Sequence, residues 1–121
     1  MTTAIVIDDD HIIAKMICEF LELKKIQVLA KGDDGKDAVA LYQKFNPDVV
    51  FLDVMMPNYD GFYGLKEIRK VNPDATVIMM TSDITPDVED KLEEQGASVV
   101  IFKTLDMKHF LEKVEPILAK R

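Results

Sequence analysis

Apolar positions along the chain switch between two periods from end to end. Thr3-Ala4-Ile5-Val6-Ile7 is a short unbroken apolar run, rich in β-branched residues and stopped by Asp8-Asp9-Asp10. Such a run fits a strand buried on both faces of a parallel sheet. Ile13, Met16, Ile17, Phe20 and Leu21 then recur at i, i+3, i+4, i+7 and i+8, which draws one face of a helix. Gln27-Val28-Leu29-Ala30 predicts a weaker second strand, and Ala38, Leu41, Tyr42 and Phe45 a second helix ended by Asn46-Pro47. Asp48-Val49-Val50-Phe51-Leu52-Asp53 is the clearest strand, followed by the turn-rich Pro57-Asn58-Tyr59-Asp60-Gly61. A third helix is predicted over about Phe62 to Val71, closed by Asn72-Pro73, and Thr76 to Met80 reads as the fourth strand. Thr85-Pro86-Asp87 opens a fourth helix, with Pro where its missing N–H costs nothing. Ser98 to Phe102 is the fifth strand, and Met107, Phe110, Leu111, Val114 and Leu118 stripe the last helix. Pro116 lies inside that stripe, so the helix is expected to kink there or to lose its regular form early.

Strand and helix therefore alternate throughout, and the strands are apolar on both faces. That pattern predicts an α/β domain, a doubly wound parallel sheet with helices on each side. Right-handed crossovers place the C-terminal ends of all the strands on one edge. The fourth helix carries only Val88 and Leu92 among Asp87, Glu89, Asp90, Lys91, Glu93 and Glu94, so its hold on the sheet should be thin and its charges a solvated face.

Composition narrows the class. A chain of 121 residues has room for one domain, spanning 1–121, and is small for a catalyst that must enclose its substrate. The 15 Lys+Arg against 22 Asp+Glu give a net charge of −7. That sign disfavours direct binding to nucleic acid or to an anionic membrane surface. The lone Cys18 fits a reducing, cytoplasmic compartment and reads as a small buried hydrophobe. The first residues lack the basic region of a signal peptide. No apolar stretch reaches the roughly 18 residues of a membrane helix.

Candidate chemistry collects at the strand ends. The first strand ends at Asp8 and Asp9, the third at Asp53, the fourth at Thr81 and the fifth at Lys103. In an open α/β sheet, ligands bind outside these carboxyl ends, where the strand order reverses. Three carboxylates gathered there repel one another and call for a counter-charge. A hard divalent cation with oxygen ligands supplies it, Mg²⁺ first and Mn²⁺ as an alternative. Asp10 reads as a helix cap, His11 and His109 as surface residues, and the pairs Met55-Met56 and Met79-Met80 as core packing.

Taken together, the motifs resemble the receiver domain of two-component response regulators, the family of the stand-alone chemotaxis receiver. They are the acidic pair in Val6-Ile7-Asp8-Asp9, the Asp34-Gly35 turn, and Pro47-Asp48 leading to Phe51-Leu52-Asp53. Then come Met56-Pro57-x-x-Asp60-Gly61, Thr81, Gly96-Ala97 and Lys103. The resemblance covers nearly the whole chain and implies a flavodoxin-like sheet of order 2-1-3-4-5. It implies Asp53 as phosphoacceptor and Mg²⁺ held by Asp8, Asp9, Asp53 and the backbone carbonyl of Met55. Lys103 would pair with the phosphoryl oxygens, and the Thr81 hydroxyl would turn onto the new group. A histidine kinase or histidine phosphotransfer protein would be the donor. An unidentified protein would read the surface of the fourth helix, fifth strand and fifth helix, with the domain a monomer or a phosphorylation-dependent dimer paired through its edge strand. Four positions depart from the family pattern: Thr104 replaces the usual proline after Lys103, Val100 the usual aromatic, Ser82 the usual Ala or Gly, and Pro116 interrupts the last helix.

Two other readings compete. Asp8-x-Asp10 after an apolar strand also resembles the nucleophile motif of haloacid-dehalogenase-type phosphatases, which would leave Asp53 without a role. A degenerate receiver, acting only as a binding module, would keep the fold and lose the phosphorylation. No output domain follows within the chain, so the domain either acts by protein contact or belongs to something longer.

Overall fold

The computed structural model describes residues 1–82, 85–103 and 107–119. Thr104 and the side chains of Met107 and Leu111 lie outside the described residues. The elements alternate strictly: β1 (Thr3–Ile7), α1 (His11–Leu23), β2 (Gln27–Gly32), α2 (Gly35–Phe45), β3 (Val49–Asp53), α3 (Gly61–Val71), β4 (Thr76–Thr81), α4 (Pro86–Glu94), β5 (Val99–Phe102) and α5 (Met107–Ala119). The sheet is parallel throughout, in the order β2-β1-β3-β4-β5. The predicted fold class and strand order both hold, and β5 is an edge strand as expected.

All-apolar strands form because each face of the sheet is covered. One core joins Val6, Phe51, Ile78, Met80 and Ile101 to Ile17 and Leu21 of α1 and to Phe110 and Val114 of α5. Its centre is aromatic, with Phe110 stacked on Phe51 and edge-on to Phe20, both at 5.9 Å between ring centroids. The other joins Ile5, Ile7, Leu52, Val77 and Met79 to Tyr42 of α2, Leu65 and Ile68 of α3 and Leu92 of α4. Leu92 is the one buried residue of α4, as its thin stripe predicts.

Aspartates fix the entries to three helices on the edge that carries the strand C-termini. Asp10 caps α1 through the Ile12 and Ile13 amides, Asp34 caps α2 through Asp37 N–H, and Asp60 caps α3 through Tyr63 N–H. Each cap satisfies donors that the first helical turn leaves open, worth about 1 kcal/mol apiece. Asn46 closes α2 in the left-handed region at φ 46° and returns its N–H to Tyr42 O, a conformation Asn tolerates.

Three expectations need correction. Met55 is not core: it is 65% exposed, while Val54 and Met56 on either side of it are buried. The chain has left the sheet after Asp53, and Met55 lies on the outer side of the loop that follows. Pro116 does not shorten the last helix, because α5 runs on to Ala119. The carbonyl it leaves without a helical partner belongs to Glu112, and both residues lie on an exposed part of the helix, where an unpaired carbonyl costs least. Strand β2 and helix α2 each extend past the apolar pattern. Lys31 and Gly32 pair with Val6 and Ile7, and α2 starts at Gly35 behind its Asp34 cap.

Candidate functional site

Strand register builds the site. Ile7 pairs with Leu52, so the next residues, Asp8 and Asp53, leave β1 and β3 side by side. Asp53 pairs with Met80, and Thr81 with Phe102, which brings Thr81 and Lys103 one step further along the same edge. Between β1 and β3 the chain reverses its direction across the sheet, the crevice where α/β folds bind ligands.

Carboxylate oxygens of Asp8, Asp9 and Asp53 all lie within 4.8 Å of one another. Asp8 and Asp53 are buried, at 1% and 3% exposed, while Asp9 is open to solvent. Lys103 Nζ donates to Asp8 Oδ1 at 2.9 Å and to Asp53 Oδ2 at 3.2 Å. Its backbone N–H is fixed on Thr81 O at 2.7 Å, and Thr81 itself is fully buried. The structure thus brings the side chains of Asp8, Asp9, Asp53 and Lys103 together. Asp10 stays out of the cluster, since its carboxylate caps α1, yet its N–H donates to Asp8 Oδ1 at 2.9 Å. Sequence reasoning found the cap and missed that second contact.

Charge in the pocket is unbalanced. With all three carboxyls ionised, one ammonium leaves the pocket two negative charges in excess. Burial, then the neighbouring Asp8 charge, push Asp53 up from 3.8 to about 7, against the lowering pull of Lys103. Burial alone would lower Lys103, but its hydrogen bond to Asp8 and the charges of Asp53 and Asp8 outweigh it and raise the ammonium. Asp8 Oδ2 lies 2.8 Å from the ammonium yet receives no well-directed hydrogen bond and is buried. An unsatisfied buried carboxylate oxygen, an excess of negative charge and an all-oxygen donor set fit a hard divalent cation.

The glycines explain the motif around the site. A Cβ on Gly61 would sit 2.2 Å from Asp53 O and 2.7 Å from Val54 Cα. A Cβ on Gly35 would sit 2.2 Å from Asp60 O, and Gly35 N–H donates to Tyr59 O at 2.6 Å. Bare backbone at both positions lets the α2 and α3 entries close around the loop that follows Asp53.

Other candidates fall outside the cluster. His11 is exposed and pairs with Asp33, Nε2 to Oδ1 at 2.8 Å, and His109 is exposed. Cys18 is buried and unbridged, with burial raising its thiol. Ser82 is exposed beside Thr81. Val100 packs into the core under α4, while Phe102, on the same strand face, is 37% exposed.

Residues 4–115 match the response regulator receiver domain family. The chain belongs to that family. It is 29% identical to the chemotaxis protein CheY of Bacillus subtilis over 114 residues, covering 94% of this chain and 95% of that protein. It is 27% identical to the transcriptional regulatory protein DegU of Brevibacillus brevis, covering 93% of this chain but only 48% of that protein. The chain therefore spans about half the length of DegU and nearly all of the CheY-type relative. Among solved structures, the CheX–CheY–BeF3–Mg²⁺ complex from Borrelia burgdorferi superposes with a TM-score of 0.92 at 26% identity, over 97% of this chain and 89% of that one. Membership makes the domain a phosphorylation-dependent switch of two-component signalling, a signalling receiver rather than a conventional enzyme. Nothing supports the phosphatase reading, and Asp53, which it left idle, lies beside Asp8 in the same acidic pocket. Among the described residues, no helix is long and apolar enough to cross a membrane.

Proposed function

We propose that Asp53 is the phosphoacceptor of this chain, within a single receiver domain spanning residues 1–121. The observation that carries this reading is the Lys103 ammonium bridging the buried Asp8 and Asp53 carboxylates, with Asp9 in the same cluster. A carboxylate oxygen of Asp53 attacks the donor's phosphorus, and the donor's bridging atom leaves with its electron pair. The product is an acyl phosphate that water later hydrolyses. Lys103 neutralises phosphoryl oxygens as a point charge, and the Thr81 hydroxyl donates to them. Asp8, Asp9, Asp53 and the Met55 carbonyl would hold Mg²⁺, with Mn²⁺ an adequate substitute, and a cation bound there would supply positive charge beside the reacting phosphoryl group.

The donor is a histidine kinase or histidine phosphotransfer protein. The added phosphate brings about two negative charges and three acceptor oxygens, enough to rearrange the surface of α4, β5 and α5 for an unidentified protein target. This acidic domain works in the cytoplasm without touching nucleic acid or membrane, as a monomer or as a dimer paired through β5 once phosphorylated. Gel filtration with and without beryllofluoride distinguishes the two states.

Titration with Mg²⁺ tests the ligand set. Because protons compete for a carboxyl that titrates near 7, apparent affinity should fall as pH is lowered through that value, and binding should release protons. Asp9→Asn should weaken binding at least about tenfold, measured by calorimetry at fixed pH. Unchanged affinity in that variant contradicts the ligand assignment. Lys103→Ala should keep Mg²⁺ binding but slow phosphoryl uptake from acetyl phosphate by about 100-fold or more. An uptake rate equal to wild type removes Lys103 from the reaction.

A further inference from the structure

Asp8 is held from three directions, and one of its oxygens is left over. Its N–H donates to Gly32 O at 3.1 Å. Its Oδ1 accepts from Asp10 N–H and from Lys103 Nζ, both at 2.9 Å. Its Oδ2 is buried and receives no well-directed hydrogen bond, in a residue only 1% exposed. Lys103 does not tell the two oxygens apart, since its Nζ also lies 2.8 Å from Oδ2. Asp10 N–H does, because it donates to Oδ1. That one backbone group leaves Oδ2 as the oxygen available to a cation.

The N–H is fixed by the cap of which it is part. Asp10 stands before α1 in extended backbone, at φ −82° and ψ 97°. Its Oδ1 accepts the Ile12 and Ile13 amides at 3.1 and 3.2 Å, and its carbonyl accepts Ala14 N–H at 2.9 Å. Side chain and carbonyl are both tied to the first turn of α1, which leaves the dihedrals of Asp10 little freedom. A helix makes no use of the N–H of its own capping residue. Where Glu or Gln stands three residues on, that side chain accepts it. Here the position is Ile13, which has no acceptor, and Asp8 takes the N–H instead. The Asp10 carboxylate meanwhile faces the helix amides and stays out of the acidic cluster.

We propose that Asp10 is a positioning residue for the metal ion: by capping α1 it sets its own N–H on Asp8 Oδ1, and so presents Asp8 Oδ2 to the cation. Asp10 contributes no ligand atom. The inference rests on the reading of Asp8, Asp9 and Asp53 as metal ligands. Its consequence is that the ligand set depends on a side chain that never touches the ion, as metal sites often depend on the groups that orient their ligands.

Calorimetric titration of the full chain with Mg²⁺ at about 0.15 M salt tests it. Asp10→Asn keeps a capping oxygen and loses only an exposed, screened charge, so it should bind Mg²⁺ within about threefold of wild type. Asp10→Gly is also tolerated at a helix start, but it frees the backbone that aims the N–H. It should melt close to the Asn variant and yet bind Mg²⁺ about tenfold more weakly than that variant. In the metal-free protein, NMR should show the residue-10 amide exchanging about tenfold faster in the Gly variant than in the Asn variant. Should the Gly variant not fold, Asp10→Ala carries the same comparison with Asn. A cap that is merely structural would make affinity follow stability, with Gly close to Asn. Gly binding within about threefold of Asn, or equal exchange of the residue-10 amide in the two, therefore overturns the positioning role. An Asn variant as weak as the Gly variant overturns it too, because the charge and not the cap would then carry the effect. If the wild type binds no Mg²⁺, the ligand reading falls and the positioning role falls with it.

Discussion

The Asp53→Asn variant is expected to take up no phosphoryl group from acetyl phosphate and Mg²⁺. Without metal it should also be more stable than the wild type at about pH 8. The loss follows because an amide is no nucleophile toward phosphorus, and neither Asp8 nor Asp9 is expected to replace it as acceptor. The stability gain follows from the pocket's charge. The folded chain holds the Asp53 proton up to about 7, against 3.8 for the free group, so the folded state binds more protons than the unfolded state between those values. Folding therefore loses stability as pH rises from the lower value to the higher one and has lost all of this contribution above it. The asparagine variant skips that loss. It should match the wild type only below about pH 4, pull ahead as pH rises toward about 7, and exceed it by about 2 kcal/mol or more at about pH 8, or roughly 5–10 °C or more in melting temperature. Added Mg²⁺ should close the gap by stabilising the wild type. A gap that grows toward acid pH, or a variant less stable than wild type at the higher pH, contradicts the electrostatic account.

Gly61→Ala is expected to damage the fold and the pocket together. The new Cβ would lie 2.2 Å from Asp53 O, 2.7 Å from Val54 Cα and 3.0 Å from Asp53 C, all of them backbone atoms. No side chain can swing away, so either α3 must move out or the end of β3 must bend. The movement also strains the Gly61 N–H bond to Val54 O and the cap that Asp60 places on Tyr63 N–H. A cost of about 3 kcal/mol or more is expected, with Mg²⁺ affinity reduced because Asp53 is displaced. Gly64→Ala is the control. Its nearest atoms are Gly35 Cα and Leu52 Cδ2 at 3.2 Å, a contact that small shifts relieve, so its cost should be about 1 kcal/mol. Thermal melts of both variants check the contrast. A Gly61→Ala melting temperature within about 2 °C of wild type contradicts the packing argument.

Much of this molecule is legible in its sequence because burial on both faces of a parallel sheet forces a pattern. Ala4 to Ile7, Val49 to Leu52 and Val77 to Met80 are fully buried, and no residue with a charge to solvate could replace them cheaply. The acidic site shows for the opposite reason. Aspartates have no structural reason to end two adjacent buried strands, so their convergence stands out against the core. Features built from backbone geometry do not show. Arg69 looks like an ordinary base in the last turn of a helix, and its partners, Gly96 O and Ala75 O, are carbonyls that leave no side-chain signature. Lys31 and Gly32 break the apolar run of β2, yet pairing with Val6 and Ile7 keeps them in the sheet. Met55 looks apolar and therefore internal, and only the path of the loop after Asp53 turns it to solvent.

Val100 bears on how the switch is read. The family pattern has an aromatic ring at this position, and here a stiff β-branched side chain packs under α4. The aromatic that half-faces solvent is Phe102, at 37% exposure on the same strand face. A ring already half outside the core needs no outward swing to be part of the surface.

The account turns on where a phosphoryl group lands. Treating the wild type with acetyl phosphate and Mg²⁺, reducing the acyl phosphate with borohydride and sequencing the peptides reads the position directly. One modified residue is predicted, at Asp53, and omission of the metal should abolish it. Modification at Asp8, or an unmodified chain under the same conditions, would contradict the account.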